Sequence, residues 1–306
     1  SRKTNWHKFF PVEARLRIDV KGGSHKLNHT RYVIHRVTAG ITATFRKLRD
    51  GVRPSIDKNN PDLHIVVHLD RNKVTLALDT SGVPLFKRGY RVDHGEAPIK
   101  EDLAAGLLAL SGWDRKSPLI DPMCGSGTLL FEAWMMAAGI APNLGRRFGF
   151  EKLFEYDPEI HQQEKARLVA GQTSVPPDLE LLGLEIDPPT FRTLRKIREA
   201  HFADAPIRIE NTDFRNVDPG PGMRTAVCNP PYGIRSGEEA DIAPLYRDLG
   251  GFLKRHLPGG RAAIYTVNHE AAPLFGGDPQ HSVALLNGSL EGRLYRFSPG
   301  TEGAGN

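Results

Sequence analysis

The sequence has few cysteines and no long apolar run, and each absence excludes a class of protein. Only Cys124 and Cys228 occur among 306 residues, too few for a disulfide framework or a zinc site built on paired cysteines. No stretch approaches the roughly 18 consecutive apolar residues of a membrane span, and residues 1–6 are polar rather than signal-like. We therefore expect a soluble, cytoplasmic chain of two domains without a metal or membrane partner, and the oligomeric state stays open.

Acidic residues are scarce in the first third of the chain. Residues 1–94 contain 19 basic and 8 acidic side chains, a net charge of +11, whereas the remainder contains 22 basic and 28 acidic side chains, a net charge of −6. Basic charge concentrated in one segment favours nucleic acid, because it neutralises phosphates and releases their counterions. A basic face that serves only solubility is the alternative.

The apolar pattern of the first segment predicts a small α+β module. Alternation from Arg15 to Val20 predicts a strand, and apolar residues every four positions from Tyr32 to Leu48 predict a helix with one buried face. A hairpin is predicted from the strands Leu63 to Leu69 and Val74 to Leu78, which a short polar turn separates.

Beyond a boundary near residues 93–96, helices alternate with short apolar strands, a pattern typical of a parallel sheet with helices on both faces. An antiparallel hairpin at Ser282 to Leu286 and Gly292 to Phe297 is expected to close that sheet. The predicted helices are Ile99 to Leu110, Thr128 to Gly139, Pro158 to Ala170, Pro189 to His201 and Ile242 to His256. The predicted strands are Leu119 to Asp121, Leu181 to Ile186, Ile207 to Asn211, Thr225 to Cys228 and Ala262 to Val267.

A buried strand, a glycine turn and an apolar helix follow one another at residues 119–130. Gly125 and Gly127 let the backbone pass close to a ligand, and the helix N-terminus offers N–H groups to a carboxylate. Position 130 is Leu, so the third glycine of a dinucleotide fingerprint is missing, and the Gly-Lys pair of a phosphate loop is missing as well. Asp121 at the strand end can meet the ammonium of a methionine moiety.

Acidic residues also follow the next two strands of this domain. Glu185 is the favoured acceptor of ribose hydroxyls, and Asp187 competes with it unless it caps the following helix. Asp213 can accept an adenine amine while Phe214 packs on the ring, and a plain turn is the alternative for this pair.

The tetrapeptide Asn229-Pro230-Pro231-Tyr232 directly follows a short apolar strand. Its amide, its aromatic ring and its two rigid prolines suit a flat heterocycle that carries an NH2 group, because methyl transfer to such an amine needs acceptors for two protons and a stacking face. A strand-ending turn is the alternative for the tetrapeptide alone.

Taken together, these motifs resemble the S-adenosylmethionine-dependent methyltransferases that act on exocyclic amines. More narrowly, the chain is similar to the THUMP-domain bacterial 23S rRNA guanine-N2 methyltransferases. The resemblance covers almost the whole chain and is carried by Asp121 to Leu130, Asn229 to Gly233, Pro84 to Arg91, Ala97 to Leu107, Gly22 to Arg36 and Asn287 to Phe297.

The resemblance implies a THUMP-like RNA-binding domain at residues 1–94 and a Rossmann-like class I methyltransferase domain at residues 95–306. Family members usually begin with a further ferredoxin-like segment, which this chain is expected to lack, and some carry a second methyltransferase domain, for which it has no room. The implied cofactor is S-adenosyl-L-methionine, and the implied partner is 23S rRNA or a large-subunit precursor. The predicted cofactor residues are Asp121, Cys124, Gly125, Ser126, Gly127, Thr128, Glu185, Ile186, Asp187, Asp213, Phe214 and Asn229.

The predicted reaction is methyl transfer to the N2 amine of a guanine, with Asn229, Pro230, Pro231 and Tyr232 as the catalytic residues. The Asn229 side chain and the Pro230 carbonyl would accept the amine protons, and Tyr232 would stack on the extruded base. The predicted RNA contacts are Lys21, Lys26, Asn28, His29, Arg31, Arg49, Arg53, Lys87, Arg88 and Arg91. A tRNA guanine, an adenine or cytosine amine, a glutamine amide, and a non-catalytic RNA-binding or assembly module are the alternatives.

Overall fold

The computed structural model describes residues 3–23, 29–91, 99–235, 238–239, 242–270, 272–276 and 279–300. They fall into two units. The first unit is Ser1–Leu85 with Asn143–Arg167, and the second unit is Phe86–Pro142 with Leu168–Asn306. The sequence pattern assigned 143–167 to the second domain, whereas the structure groups this segment with the first unit. The predicted boundary near residues 93–96 lies outside the described residues and stays a prediction.

The helices and strands lie close to their predicted positions along the chain. The helices are α1 (Thr30–Leu48), α2 (Glu101–Leu110), α3 (Thr128–Ala137), α4 (Pro158–Ala170), α5 (Pro188–His201) and α6 (Ala243–His256). The first strands are β1 (Arg15–Gly23), β2 (Ser55–Ile56), β3 (Leu63–Asp70), β4 (Lys73–Asp79), β5 (Leu119–Asp121), β6 (Leu181–Leu184) and β7 (Ile207–Glu210). The remaining strands are β8 (Thr225–Cys228), β9 (Ile234–Arg235), β10 (Glu238–Glu239), β11 (Arg261–Thr266), β12 (His281–Asn287) and β13 (Leu290–Phe297).

The first unit is built on a four-stranded sheet of order β2-β1-β3-β4. Strand β1 pairs in parallel with β2 and β3, and β3 pairs with β4 as the predicted antiparallel hairpin. The predicted apolar face of α1 is buried through Val33, Val37, Ile41 and Phe45, which share one core with the sheet. The predicted α+β module is therefore confirmed, apart from β1, which continues through Gly22 to Gly23 beside Leu69 and Asp70.

The second unit contains a seven-stranded sheet of order β12-β13-β11-β8-β5-β6-β7. The pairs β5–β6, β6–β7, β5–β8 and β8–β11 are parallel, and the hairpin β12–β13 joins β11 in antiparallel fashion. One core cluster holds the buried faces of α2, α3 and α5, and another holds that of α6. Helices on both faces of a mostly parallel sheet confirm the predicted α/β class.

The strand order sets where a ligand can bind. The chain runs from β5 outward through β6 to β7 and then returns to the other side of β5 with β8. At such a reversal the loops after neighbouring strands diverge and leave a crevice at their carboxyl ends. The residues that follow β5, β6 and β8 therefore face one crevice. Among the described residues, no helix is long and apolar enough to cross a membrane.

Candidate active site at the carboxyl ends of the parallel strands

The glycine turn, residues 122–127, connects β5 to α3 as predicted. Gly125 and Gly127 have positive φ angles of 56° and 85°, which residues with a Cβ rarely adopt. A Cβ on Gly127 would collide with Leu194 and Phe131, whereas one on Gly125 would meet no described atom within 4 Å. Gly127 is therefore required for packing, and the backbone at Gly125 is open to a ligand. Of the other predicted turn residues, Cys124 and Thr128 are buried and Ser126 is half-buried.

Glu185 follows β6 and is held against the glycine turn. Its Oε2 accepts the N–H of Gly125 at 2.9 Å, and its Oε1 accepts the N–H of Asp187 at 2.8 Å. The Asp187 carboxylate instead caps α5, accepting the backbone N–H of Thr190 at 2.9 Å and its hydroxyl at 2.7 Å. Between them, Ile186 is 62% exposed and presents an apolar surface. Glu185, rather than Asp187, is the carboxylate beside the turn, and Asp187 has the capping role that was its alternative.

Asp121 lies at the end of β5 and is buried. Its Oδ1 accepts the N–H of Met123 at 3.2 Å, and the Cys228 thiol of the neighbouring strand β8 lies near the carboxyl. Burial, with a smaller contribution from the nearby negative charge of Glu185, raises the pKa of Asp121 to about 7. A cation placed against Asp121 would favour the ionised carboxylate, as an opposite charge does at close range.

Asp213 and Phe214 differ from the prediction. The Asp213 carboxylate is paired with the Arg215 guanidinium at 2.6 Å, and this hydrogen bonding holds the pKa of Asp213 below its usual range. Phe214 is buried with its ring edge against Phe252, at a centroid distance of 5.5 Å. The prediction that the Phe214 ring packs on a ligand is wrong, because the ring belongs to the core.

The base segment, residues 229–232, follows β8 with Pro230 buried and Asn229 half-buried. The Tyr232 hydroxyl donates to Asn229 Oδ1, and the Asn287 side chain lies near that hydroxyl. The Tyr232 ring stands edge-on to Tyr265 at a centroid distance of 6.3 Å. Burial raises the pKa of Tyr232, so the hydroxyl keeps its proton. The Asn229 oxygen assigned to a base amine thus accepts a hydrogen bond from Tyr232 here.

Cys228, Asn287, Tyr246 and Thr266 contact these residues and were not predicted as site residues. Cys228 directly precedes Asn229 and lies near Asp121, and Asn287 lies near Tyr232 at the end of β12. Tyr246 and Thr266 form a buried hydrogen-bonded pair next to Pro231. Thr266 ends a parallel strand, so the rule that selected Asp121 and Glu185, a polar residue at a strand end, would have found it. The other three have no comparable pattern in the sequence.

Two of the predicted RNA contacts are corrected by the structure. The Arg88 side chain is 10% exposed and pairs with Glu132 at 3.4 Å. Arg91 is 15% exposed, lies 3.6 Å from Glu101 and donates to Thr128 Oγ1 at 2.8 Å. These two arginines are not surface contacts, because each lies against a buried glutamate.

The other predicted RNA contacts are exposed where the structure describes them: Lys21, His29, Arg31, Arg49, Arg53 and Lys87. Lys26 and Asn28 lie outside the described residues. Helix α1 adds exposed basic residues that were not predicted, namely His35, Arg36, Arg46 and Lys47, and its sequence contains no acidic residue.

Comparison with known proteins gives two family matches, which cover different parts of the chain. The model of the RMKL-like methyltransferase domain matches residues 88–294, and the model of the THUMP domain matches residues 1–79. The ribosomal RNA large subunit methyltransferase K/L of Pseudomonas paraeruginosa is 37% identical over 303 residues, which are 95% of this chain and 41% of that protein. The chain thus spans about two fifths of the length of the curated relatives it matches.

Two solved structures share the fold over nearly the whole chain. A possible methylase from Clostridium difficile 630 is 30% identical with a TM-score of 0.83, covering 100% of this chain and 80% of that one. The crystal structure of SMU.472 complexed with SAH is 26% identical with a TM-score of 0.84, covering 97% of this chain and 78% of that one. Both similarities extend across the residues of the glycine turn and of the base segment.

Proposed function

This chain belongs to the RMKL-like methyltransferase family and carries a THUMP domain, and we propose that it methylates the N2 amine of a guanine in 23S rRNA with S-adenosyl-L-methionine. The observation that carries the proposal is the parallel pairing of β5 with β8, two strands that end at Asp121 and at Cys228. Asp121 is the proposed contact of the cofactor ammonium, and Cys228 directly precedes Asn229 of the base segment. Donor and acceptor sites are therefore adjacent.

The proposed cofactor site combines the open backbone at Gly125 with two carboxylates. The methionine carboxylate would lie at the N-terminus of α3, where the first helical N–H groups have no partner within the helix. Asp121 would hold the ammonium, and Glu185 would accept the ribose hydroxyls in place of the Gly125 N–H. The complex of SMU.472 with SAH, the demethylated product of this cofactor, supports the choice.

The proposed chemistry is a direct displacement that needs no titrating base. The guanine amine nitrogen attacks the methyl carbon, the carbon–sulfur bond breaks, S-adenosylhomocysteine leaves, and one amine proton passes to solvent. Asn229 Oδ1 and the Pro230 carbonyl would accept the two amine hydrogens and so favour a pyramidal nitrogen. Asn229 Oδ1 has two lone pairs, so it can accept the amine hydrogen while it still accepts the Tyr232 hydroxyl, and the Tyr232 ring would stack on the flipped base.

The proposed RNA partner fits the exposed face of α1. Arg31, Arg36, Arg46 and Lys47 lie on one helix without an acidic neighbour in its sequence. Exposed cations of this kind neutralise phosphates and make affinity depend on salt. With a large-subunit rRNA substrate, the protein would act in the cytoplasm.

The function is tested with methyl-labelled cofactor and protein-free RNA. The chain is incubated separately with unmodified 23S rRNA, 16S rRNA and total tRNA, and the labelled nucleosides are identified by mass spectrometry. We expect N2-methylguanosine from 23S rRNA alone. Label in an adenine or a cytosine would overturn the choice of base, and label only in tRNA would overturn the choice of RNA. The absence of label from all three would overturn the enzymatic proposal.

The RNA surface is tested separately by the salt dependence of binding. Removing Arg36 and Lys47 together as alanines should lower the slope of log affinity against log salt by about 2, roughly one for each lost phosphate contact. The control is Arg195→Ala, which removes an exposed arginine of α5 that is paired with Glu199. An unchanged slope in the double variant would remove α1 from the interface.

A further inference from the structure

The base segment lacks backbone hydrogen-bond donors at its two central positions, because both are prolines. Pro230 and Pro231 have no backbone N–H and cannot donate to a neighbouring strand. Their rings fix φ, but the rotation about the bond from Cα to the carbonyl carbon stays free. At Pro231 that rotation sets the peptide plane from which Tyr232 departs. Some other group must therefore hold the Pro231 carbonyl if Tyr232 is to have one position.

That group is the Tyr246 hydroxyl. It donates to the Pro231 carbonyl oxygen at 3.0 Å, from the first turn of α6. Its oxygen also lies 2.8 Å from Thr266 Oγ1, at the end of β11. Thr266 Oγ1 in turn accepts the N–H of Asn268 at 3.0 Å.

The proton positions in this chain of hydrogen bonds follow from its two ends. A carbonyl oxygen can only accept, so Tyr246 must give its single proton to Pro231. The Asn268 N–H can only donate, and Thr266 then has its own proton available for Tyr246. Burial raises the pKa of Tyr246 to about 12, which keeps this proton in place at neutral pH. The relay thus runs from Asn268 through Thr266 and Tyr246 to Pro231.

Packing alone does not account for these two hydroxyls. Tyr246 and Thr266 have no exposed surface, and the Tyr246 ring packs on Phe275 at a centroid distance of 4.5 Å. Phenylalanine and valine would fill the same volumes without a polar atom to satisfy. The strand register adds a second observation. Ile264 of β11 lies opposite Cys228 of β8, so the end of β11 runs alongside the base segment.

We propose that Tyr246 and Thr266 are positioning residues, which fix the Pro231 carbonyl and thereby the direction in which Tyr232 meets the base. This inference rests on the proposed function. Neither residue touches the reacting atoms, so their loss should slow methyl transfer and leave the cofactor affinity unchanged.

The test is the single-turnover rate of methyl transfer to protein-free 23S rRNA, measured beside the cofactor Kd from calorimetry. Tyr246→Phe should slow the rate by about 10- to 100-fold, the range expected when a reacting group is misplaced by less than about 1 Å. Thr266→Val should slow it by less, because Tyr246 can still donate to Pro231, and Thr266→Ser should restore it. The double variant should be no slower than Tyr246→Phe, since the two residues act through one relay.

Tyr295→Phe is the matched control, because it removes a hydroxyl that contacts His269 at 3.1 Å and is not part of the relay. The relay is overturned if Tyr246→Phe reacts as fast as this control, if Thr266→Ser is as slow as Thr266→Val, or if the Kd weakens as much as the rate. Should Tyr246→Phe fail to fold, the comparison of Thr266→Ser with Thr266→Val still tests the relay. An inactive wild type overturns the proposed function and the relay together, whereas an active wild type with an equally active Tyr246→Phe overturns only the relay.

Discussion

Asp121 and Asn229 follow neighbouring parallel strands of one sheet, β5 and β8, yet their surroundings differ in kind. Asp121 is a buried carboxyl with the second carboxylate of Glu185 nearby, and burial raises the pKa of Asp121 to about 7. Around Asn229 the polar groups are an amide, phenols and carbonyls, and burial keeps the phenols of Tyr232 and Tyr246 protonated. The difference matches the two ligands proposed, a charged ammonium and a neutral aromatic amine. In this proposal, the cofactor side of the site binds its ligand through charge, and the base side orients its ligand through neutral hydrogen bonds.

The largest expected effect comes from the base side. Asn229→Ala removes a side-chain acceptor from the amine and should lower turnover on the order of 100-fold or more, as the loss of one preorganised hydrogen-bonding group does elsewhere. Cofactor binding should stay within about twofold of wild type, because the contacts at Gly125 and Asp121 are unchanged. Asn216→Ala, at an exposed position, is the control. Turnover of Asn229→Ala within a few-fold of wild type would contradict the role of Asn229 as an amine acceptor and with it the contrast between the two sides of the site.

Asp121→Asn should act on the cofactor side and weaken S-adenosylmethionine binding by about 10- to 100-fold, the loss of one charged hydrogen bond. Calorimetric titration measures this Kd. The variant still has an oxygen for the Met123 N–H, so its fold should persist. Equal affinity in both proteins would remove Asp121 from the ammonium site.

The same substitution should stabilise the unliganded protein. The folded-state pKa of Asp121, about 7, lies above its usual value of 3.8, so the folded chain holds this proton more tightly than the unfolded chain does. Between these two values stability falls as pH rises, by up to the order of 4 kcal/mol. Asp121→Asn removes this loss. The unfolding temperature of the variant should therefore rise relative to that of wild type from pH 5 to pH 8. A constant difference in unfolding temperature would contradict the raised pKa of the buried Asp121 carboxyl.

The wild-type affinity for cofactor should itself depend on pH, with a smaller effect. Only ionised Asp121 pairs with the ammonium, so affinity should rise about tenfold from pH 5.5 to 7, a range in which an α-amino group stays charged. Asp121→Asn should flatten this profile. A flat profile in wild type would show that the ammonium is held elsewhere.

Local sequence patterns were sufficient to locate the residues at the ends of the parallel strands. Gly125, Glu185 and Asn229 follow predicted strands, and parallel strands bring such ends together at one edge of a sheet. The pattern also assigned the strands and helices to within a few residues, because alternation and four-residue spacing are properties of contiguous segments. Which unit the 143–167 segment packs with was not predictable in this way, since that depends on contacts distant in sequence.

The wrong predictions concern residues whose roles depend on distant partners. Arg88 and Arg91 have the same side chains as the exposed arginines of α1, but Glu132 and Glu101 lie against them. The residues next to an arginine in the sequence do not indicate whether a buried carboxylate will lie against it. Phe214 was similarly indistinguishable from an exposed ring until α6 placed Phe252 against it.

The smallest effect is expected for Tyr232→Phe, which separates the ring of Tyr232 from its hydroxyl. The hydroxyl orients the Asn229 oxygen, so its loss should lower turnover about two- to fivefold, the net worth of a neutral hydrogen bond. The ring remains available for stacking, whereas Tyr232→Ala should lose a further ~1–3 kcal/mol of base binding. Turnover and RNA affinity of both variants measure this difference. Faster turnover by Tyr232→Phe would mean that the hydroxyl competes with the base for Asn229. Turnover of the wild type would then be limited by breaking the hydrogen bond between Tyr232 and Asn229 rather than by the orientation of Asn229.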